Sequence, residues 1–345
     1  MDIIDIVLAV VLLAVGFVLL VKGADWFVDG AAGIAEKLRV PQLVIGLTVV
    51  AFGTSAPELA TSLISAINGD ASIAIGNIVG SNITNIWLIL GVAALICALP
   101  VHEDTRRMDF PVLIGATVLL LLFGLDGTVQ RWEGILLFVI SCVYTGVLIW
   151  WAIRQRKAEE STMSALNDHE VICTAAETTE ESEKKTGFDA WYEGMKEKSW
   201  FLIVLTIVGL ALVVLGANLA VNGATTIAKG LGISSRVIGL TVVAIGTSLP
   251  ELVTAVTAAR KGDTDIAVGD IVGSCIFNIL RTIGLSATIL PLAFEQGFLV
   301  DGLIALAAAV MLAVFGYMKD HKVKRWGGIV MLCAFAAYYV YLFAI

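Results

Sequence analysis

The chain has 345 residues, of which 58% are hydrophobic and only 15% are charged, and its mean hydropathy is +0.92. Soluble globular proteins carry about 45–50% apolar and about 25% charged residues, so this composition excludes an ordinary soluble domain and predicts an integral membrane protein surrounded by lipid. The net charge of −8 argues against a nucleic-acid partner, because such a partner requires a clustered basic face. The five cysteines lie far apart and predict neither a disulfide framework nor a zinc site.

Ten apolar runs along the chain are each long enough to cross a bilayer, which takes about 20 residues. The runs are continuous rather than alternating, so we expect an all-α protein whose helices satisfy their own backbone hydrogen bonds inside lipid. The chain begins with acidic residues rather than with the basic segment of a signal peptide, so the first run is predicted to be the first span. The sequence leaves open whether residues 23–39 extend that helix or break it. The runs are residues 3–22, 40–67, 71–99, 110–125, 132–152, 199–221, 236–259, 264–291, 297–317 and 326–345.

Basic residues in the loops predict the orientation of the chain, because cytoplasmic loops carry an excess of lysine and arginine. With the N-terminus outside, most basic loop residues fall on the cytoplasmic side, so both termini are predicted to be extracytoplasmic in the cell membrane. The residues placed inside are Lys37, Arg39, Arg106, Arg107, Arg260, Lys261 and the basic residues of 319–325, whereas Arg131, Lys229 and Arg236 are placed outside.

Residues 153–198 differ from the rest of the chain, because a short basic stretch is followed by many acidic residues. This composition is typical of a solvated linker, which the predicted orientation places in the cytoplasm. The carboxylates leave an ion-sensing role open, although no EF-hand spacing is present.

Residues 46–91 and 239–284 are two copies of one sequence. At a constant offset of 193 positions about 27 of 46 residues are identical, which shared apolar bias does not produce. The chain is therefore predicted to consist of a first half, 1–152, the linker 153–198 and a second half, 199–345. Five spans in each half force the second half to insert upside down. The prediction is ten transmembrane helices in two inverted five-helix repeats, with a substrate site where the halves meet near the midplane.

Each copy carries the motif Gly-Thr-Ser-x-Pro-Glu in the middle of a span. Threonine and glutamate are four residues apart and share one helical face, and the proline frees the carbonyl four residues before it. A lone carboxylate in the bilayer costs at least roughly 2.5–3.5 kcal/mol, so each glutamate is expected to meet a cation, a proton or a partner. The motif residues are Gly53, Thr54, Ser55, Pro57 and Glu58 in the first copy and Gly246, Thr247, Ser248, Pro250 and Glu251 in the second.

The next span of each copy supplies a serine and, one helical turn later, an asparagine. Together with the motif residues these side chains form a set of hard oxygen donors, which suits Ca²⁺ with its about 6–8 ligands and argues against zinc or copper. For any single hydroxyl, a bridge between two helices is an equally good explanation. Asn77, which aligns with Asp270, can also simply cap or hydrate a helix end. The paired residues are Ser81 and Asn85 in the first copy and Ser274 and Asn278 in the second.

With these motifs the sequence resembles the calcium/cation antiporter superfamily, and most closely its prokaryotic sodium/calcium exchangers. The two alpha-repeats of that family carry G-T-S-x-P-E and G-N-x-x-G-S-N-x-x-N, and the resemblance covers both halves but not the linker. It implies a ten-helix antiporter that lets Na⁺ flow down its gradient to extrude Ca²⁺ by alternating access. It implies transported ions rather than a cofactor, and it implies no obligate protein partner.

The resemblance also implies roles for individual residues. Glu58 and Glu251 would coordinate Ca²⁺ together with Thr54 and Thr247. Family members that also carry potassium have an aspartate at the position of Asn278, so potassium coupling is not expected. The sodium sites would form around the same two carboxylates from backbone oxygens of Ala51 and Ala244 and from Ser55, Ser81, Asn85, Ser248, Ser274 and Asn278.

Three residues of the second repeat depart from the family pattern. Asp270 replaces the first asparagine of the motif, Cys275 replaces the second, and Arg281 stands where the first repeat has Leu88. Arg281 is a permanent cation deep in an apolar run. It is expected to snorkel to the membrane surface or to pair with another helix, and the alternative is that it faces the cavity in the place of an ion.

Other functions fit the sequence less well. A proton/calcium exchanger is the nearest alternative, because a buried glutamate can bind a proton in place of Na⁺. An intramembrane hydrolase using Ser55 or Ser248 would lack a base, since the three histidines lie away from the repeats. A channel would not need an inverted repeat. The chain is therefore predicted to be a transporter and not an enzyme.

Overall fold

The structure is a computed structural model that describes residues 3–37, 53, 55–167, 195, 198–261 and 264–344. It is almost entirely helical, with four strands of two residues each in the described part of the chain. The helices are α1 Ile3–Lys37, α2 Ala56–Ile67, α3 Ala71–Ile96, α4 Thr105–Gly124, α5 Arg131–Asn167, α6 Ser199–Leu231, α7 Ser235–Thr247, α8 Leu249–Lys261, α9 Thr264–Phe277 continued to Ile289, α10 Gln296–Tyr317 and α11 Arg325–Ala344. The strands are β1 Leu99–Pro100, β2 Thr128–Val129, β3 Leu292–Ala293 and β4 Lys322–Val323.

Eight of the described helices are long and apolar enough to cross a membrane, which makes the chain a multi-pass membrane protein. They are α1, α3, α4, α5, α6, α9, α10 and α11. The predicted spans 40–67 and 236–259 were expected to be continuous helices, but the structure describes shorter helices within them. For the first of them the structure describes residue 53 and then α2, which has 12 residues, and residues 38–52 lie outside the described part.

The predicted span 236–259 is divided into α7 and α8 at Ser248. The physical reason lies in the prolines, because proline fits the first turn of a helix but not its interior. Pro250 is the second residue of α8, and Pro57 is the second residue of α2. Each proline therefore starts a new helix in the middle of an apolar run.

The structure bears on two other segments. α1 is continuous to Lys37, so most of the segment 23–39 extends the first helix. α5 continues to Asn167, so the linker predicted to begin at residue 153 begins with a helix. Of the remaining residues of that segment, 168–198, the structure describes only residues 195 and 198.

α1 and α6 pack antiparallel along a line of glycines. Gly16 faces Gly216 and Ala220, whereas Gly23 faces Gly209 and Val213. A Cβ added at Gly23 would lie 2.7 Å from the backbone nitrogen of Val213, so the two backbones touch directly. Small residues permit this close approach between membrane helices. The two helices occupy equivalent places in the repeat and run in opposite directions.

The strands join the two halves crosswise. β1, which follows α3, pairs antiparallel with β4, which lies between α10 and α11. β2, which lies between α4 and α5, pairs antiparallel with β3, which follows α9. Each two-stranded sheet therefore contains one strand from each half, and the two sheets use equivalent positions of the repeat.

The two sheets lie at opposite ends of the molecule, because α4 runs from β1 to β2 and its 20 residues span about 30 Å. The end with β1 and β4 carries most of the described basic loop residues. The end with β2 and β3 carries Arg131 and Arg236. The basic residues at the first end are Arg106, Arg107, Lys319, Lys322, Lys324 and Arg325.

A buried aspartate–tyrosine hydrogen bond recurs in both halves, and the sequence analysis missed it. The Tyr144 hydroxyl of α5 donates to Asp109 of α4 at 2.7 Å, and the Tyr338 hydroxyl of α11 donates to Asp301 of α10 at 3.2 Å. In the second half Asp301 also forms an ion pair with Arg236 of α7, with Nε and Oδ2 3.3 Å apart. These pairs fix the outer helices of each half to one another.

α3 and α9 form the centre of the protein. They are the most deeply buried of the candidate spans, because 83% and 72% of the residues in an 18-residue apolar stretch of each are buried. Both contain a π-helical turn, at Thr84–Ile89 and at Asn278–Ile283. Such turns break the regular helical hydrogen bonding and are frequent at functional sites.

The glycine line between α1 and α6 gives a first prediction. Gly23→Ala forces two backbones apart, and overpacking of this kind costs about 1–3 kcal/mol, so we expect the melting temperature in detergent to fall by several degrees. Gly146→Ala is the matched control, because a Cβ at Gly146 of α5 meets nothing within 4 Å and should leave the melting temperature unchanged or slightly higher. Equal melting temperatures for the two variants would show that the helices are not in backbone contact.

Candidate functional site

The site begins at the two points where a helix is broken. Ser55 precedes α2 with φ −84° and ψ 3°, and Ser248 precedes α8 with φ −85° and ψ 9°, so both copies have the same local geometry. Phe17 of α1 packs on Gly246, where an added Cβ would lie 2.1 Å from the phenyl ring. Any side chain at that glycine would displace α1 or the turn that carries Ser248.

Glu58 and Glu251 lie in the first turns of α2 and α8, and both side chains are completely buried. The Ser248 hydroxyl donates to Oε1 of Glu58 at 3.1 Å, so the motif of the second copy contacts the glutamate of the first. The two carboxylates are close enough for their charges to repel each other. The structure therefore brings together the two acids that lie 193 positions apart in the sequence.

Several buried side-chain oxygens around the two glutamates have no hydrogen-bond partner among the described residues. A buried polar atom without a partner costs about 1–3 kcal/mol and more when it is charged, so such a group of atoms in one place calls for a ligand. All of these atoms are oxygens, which are hard ligands for a cation. They are Ser55 Oγ, Glu58 Oε2, both carboxylate oxygens of Glu251, Asp270 Oδ2, Ser274 Oγ and Asn278 Oδ1.

Asn77 of α3 connects the two copies. Its amide nitrogen donates to the Glu58 carbonyl at 3.2 Å and to the Ser62 hydroxyl at 2.9 Å, and its Oδ1 accepts from the Thr247 hydroxyl at 3.0 Å. Asn77 is completely buried, so it does not lie at a solvated helix end as one interpretation of the sequence had it. Its position next to Glu58 and Thr247 makes it part of the candidate site.

Ser81 lies on the same face of α3 as Asn77. Its hydroxyl donates to the Ala244 carbonyl at 3.4 Å and lies 3.5 Å from the Thr247 hydroxyl. Ser81, Ala244 and Thr247 are thus in mutual contact across the two halves. Ser81 bridges two helices, and the equivalent Ser274 hydroxyl has no partner in the described part of the chain.

α3 and α9 cross at Asn82 and Cys275, which are equivalent positions of the repeat. The Asn82 amide donates to the Cys275 carbonyl at 3.1 Å, and the Asn278 amide donates to Oδ1 of Asn82 at 3.1 Å. Asn85 lies beside the Cys275 thiol. The departure at Cys275 is therefore accommodated at the crossing point, where the small buried thiol leaves the hydrogen bonds of Asn82 intact.

Arg281 is half-buried and pairs with a neighbouring helix. Its Nη2 donates to the Thr145 hydroxyl of α5 at 3.0 Å, and its guanidinium lies 4.5 Å from the centre of the Phe277 ring. These contacts correspond to the interhelical pairing that was one of the expectations. Arg281 also lines a small pocket together with Ser55 and Thr282, so the charge lies near the edge of the candidate site.

Two of the predicted site residues, Ala51 and Thr54, lie outside the described residues. Conversely, the sequence analysis did not assign Asn82 or Ser62 to the site. Asn82 is the second asparagine of the motif G-N-x-x-G-S-N-x-x-N in the first copy, so the motif carried the signal, although the second copy has Cys275 at that position. Ser62 has no counterpart in the second copy, where Ala255 aligns with it, so repeat comparison could not identify it.

Comparison with known proteins agrees with this arrangement. The family described as "Sodium/calcium exchanger protein" matches residues 8–150 and 201–344. The chain is 36% identical to the sodium/calcium exchanger MaX1 of Methanosarcina acetivorans over 97% of its own length and 98% of the relative's. It is 35% identical to the putative antiporter CaxA of Alkalimonas amylolytica, over 97% and 99% of the two chains.

A solved structure shares the fold as well. The sodium-calcium exchanger NCX_Mj, in crystals soaked with Na⁺ and Sr²⁺, superimposes with a TM-score of 0.61 at 30% sequence identity. The superposition covers 96% of this chain and 97% of the other. The family match extends over most of both halves, and the similarity to MaX1 extends over nearly the whole chain. The chain belongs to the sodium/calcium exchanger family of membrane antiporters.

Proposed function

We propose that this protein exchanges Na⁺ for Ca²⁺ across the cell membrane by alternating access. The observation that carries the proposal is a pair of completely buried glutamates, one from each copy of the repeat, with three of their four carboxylate oxygens unpartnered in the described part of the chain. Such oxygens are the ligands that Ca²⁺ and Na⁺ prefer. The names of the relatives MaX1 and NCX_Mj agree with these two ions.

The ion ligands are proposed from the same cluster. Glu58 and Glu251, with Thr54 and Thr247, coordinate Ca²⁺. The sodium sites use the same carboxylates. Their further ligands are Ala51, Ser55, Ser81, Asn85, Ala244, Ser248, Ser274 and Asn278. The unpartnered oxygens of Ser55, Ser274 and Asn278 support this assignment, because no hydrogen bond among the described residues competes with an ion for them.

The proposed architecture is ten spans in two inverted repeats, 1–152 and 199–345, joined by 153–198. The antiparallel packing of α1 on α6 supports the inversion, because equivalent helices of an inverted repeat run in opposite directions. The crosswise pairing of the strands supports it as well. The broken runs that contain Ser55 and Ser248 supply the second span of each half.

The orientation follows from the distribution of charge between the two ends. The end with β1 and β4 carries six of the described basic residues, Arg106, Arg107, Lys319, Lys322, Lys324 and Arg325. We assign this end to the cytoplasm by the positive-inside rule. Both termini are then extracytoplasmic and residues 153–198 are cytoplasmic.

Charge balance explains why the two fluxes are coupled. Two buried carboxylates repel each other when the site is empty, and the cost of their burial opposes closure of the protein around them. One Ca²⁺ or at least two Na⁺ neutralise the pair. Loaded sites can therefore close and open to the other side, whereas the empty site cannot, and one ion is exchanged for the other.

Proton/calcium exchange is the second candidate. The unpartnered oxygens of Glu251 and Glu58 can bind a proton as well as Na⁺. The two functions differ in what drives Ca²⁺ uptake into proteoliposomes. A sodium gradient at constant pH drives uptake by a sodium/calcium exchanger, whereas a pH gradient without sodium drives uptake by a proton/calcium exchanger.

Neutralising either glutamate should abolish transport. We expect Glu58→Gln and Glu251→Gln to reduce sodium-driven ⁴⁵Ca²⁺ uptake to the level of empty liposomes, because each removes half of the charge that binds Ca²⁺. Glu103→Gln is the matched control, since Glu103 is exposed and forms an ion pair with Arg107. Uptake near the wild-type rate in both buried variants would refute the assignment of the site.

Ion binding should also stabilise the folded protein. A ligand at 100 times its Kd adds about 2.7 kcal/mol to the stability of the folded state, so saturating Ca²⁺ should raise the melting temperature of the wild type in detergent. We expect the double variant Glu58→Gln/Glu251→Gln to melt at the same temperature with Ca²⁺ and with chelator. An equal rise in the double variant would mean that Ca²⁺ binds elsewhere.

A further inference from the structure

The two copies of the repeat differ at one position next to the glutamates. In the first copy Asn77 forms three hydrogen bonds, to the Glu58 carbonyl, to Ser62 and from Thr247. In the second copy the equivalent residue is Asp270, which has no N–H group, and Ala255 stands in place of Ser62. An ionised Asp270 therefore cannot donate a hydrogen bond to the glutamate of its own copy as Asn77 does.

Asp270 has the position and the free atoms of an ion ligand. It lies one helical turn before Ser274 and two turns before Asn278, so the three share one face of α9. Its Oδ2 is buried and has no hydrogen-bond partner among the described residues, and the same holds for Ser274 Oγ and Asn278 Oδ1. Three free oxygens thus lie along one face of the helix.

The charge of Asp270 adds to that of the two glutamates. Asp270 is close enough to Glu251 and Glu58 for its charge to act on both. Of the arginines in the neighbouring segments, Arg236 forms an ion pair with Asp301, and the Arg281 guanidinium contacts the Thr145 hydroxyl and the Phe277 ring. The cluster therefore contains three carboxylates, and one Ca²⁺ compensates two of them.

We propose that Asp270 is a third anionic ligand of the ion site and that it holds a monovalent alkali cation beside Ca²⁺. This inference rests on the proposed exchange of Na⁺ for Ca²⁺. The cation lies between Asp270 Oδ2, Ser274 Oγ and the carboxylate of Glu251. With the alkali cation in place the calcium-loaded site is neutral, and without it one uncompensated carboxylate opposes closure of the loaded protein.

The test is calcium/calcium exchange in proteoliposomes, which requires only the calcium-loaded form to cross the membrane. Internal Ca²⁺ is exchanged for external ⁴⁵Ca²⁺ with K⁺, with Na⁺ below the concentration that displaces Ca²⁺, or with N-methylglucamine on both sides. We expect wild-type exchange to be at least ten times slower in N-methylglucamine than with the better alkali cation.

The variants separate the role of Asp270 from that of the site as a whole. Asp270→Asn, which introduces the residue of the first copy, should exchange Ca²⁺ at rates that differ less than twofold among the three media. Asp270→Glu keeps the charge and should keep the dependence on an alkali cation. Asp126→Asn changes an exposed aspartate that caps Thr128 and should behave as the wild type.

Three results would overturn the inference. Wild-type exchange that is equally fast in N-methylglucamine would show that no alkali cation is needed. A dependence that persists in Asp270→Asn would place the cation elsewhere, and acceleration in N-methylglucamine by low pH alone would identify a proton as the compensating charge. Absence of any Ca²⁺ flux in the wild type would instead contradict the proposed function, so the two failures are distinguishable.

A second measurement does not depend on transport. With saturating Ca²⁺ in detergent, the better alkali cation should raise the melting temperature of the wild type and of Asp270→Glu by a few degrees. The melting temperature of Asp270→Asn should not respond. An identical response of all three proteins would contradict the proposed ligand, even if one variant were inactive.

Discussion

A carboxylate inside a membrane protein must be neutralised, and this constraint shapes the centre of the molecule. Glu58 and Glu251 are completely buried, yet most of their oxygens contact no hydrogen-bond donor among the described residues. The first turns of α2 and α8, where these acids lie, stabilise negative charge through the helix dipole but do not remove it. Under the proposed function a mobile cation completes the compensation, and the bound cation then determines whether the protein can close.

The surrounding structure holds the two acids in place from outside the site. Pro57 and Pro250 lie in the first turns of α2 and α8, so that each of these short helices begins within an apolar run and carries its glutamate in its first turn. α3 and α9 cross at Asn82 and Cys275 and carry the remaining oxygens past the glutamates. The two small sheets connect the halves farther away, and the aspartate–tyrosine bonds join the outer helices within each half. Contacts between helices and between strands thus surround a central site in which several buried oxygens have no hydrogen-bond partner among the described residues.

The sequence predicted the acids and the repeat because both are local patterns. A motif of six residues repeated at a fixed offset reveals Glu58 and Glu251, and their cost in a bilayer indicates a function. The sequence could not predict which hydroxyls remain free. Ser248 donates to Glu58, whereas its counterpart Ser55 has no partner among the described residues, although both lie in the same Gly-Thr-Ser-x-Pro-Glu motif.

Two other features of the structure could not be predicted from the sequence, for a similar reason. The bond from Tyr144 to Asp109 joins residues 35 positions apart and lies outside the region of high repeat identity, so no spacing rule indicates it. Pro250 indicates a disturbance in the seventh predicted span, but the complete division of the helix at Ser248 is visible only in the backbone angles of that residue. Both are set by tertiary packing around a motif that the sequence does reveal.

The crossing of α3 and α9 bears on the history of the chain. If two identical halves had once met about a two-fold axis, the residue on that axis would have faced its own copy, and each would have donated to the other. In the present chain the Asn82 amide donates to the Cys275 carbonyl at 3.1 Å, whereas the Cys275 thiol returns only a long, weak hydrogen bond to the Asn82 carbonyl at 4.0 Å. The two halves are therefore joined by a stronger hydrogen bond in one direction than in the other at this crossing, and they are no longer equivalent there.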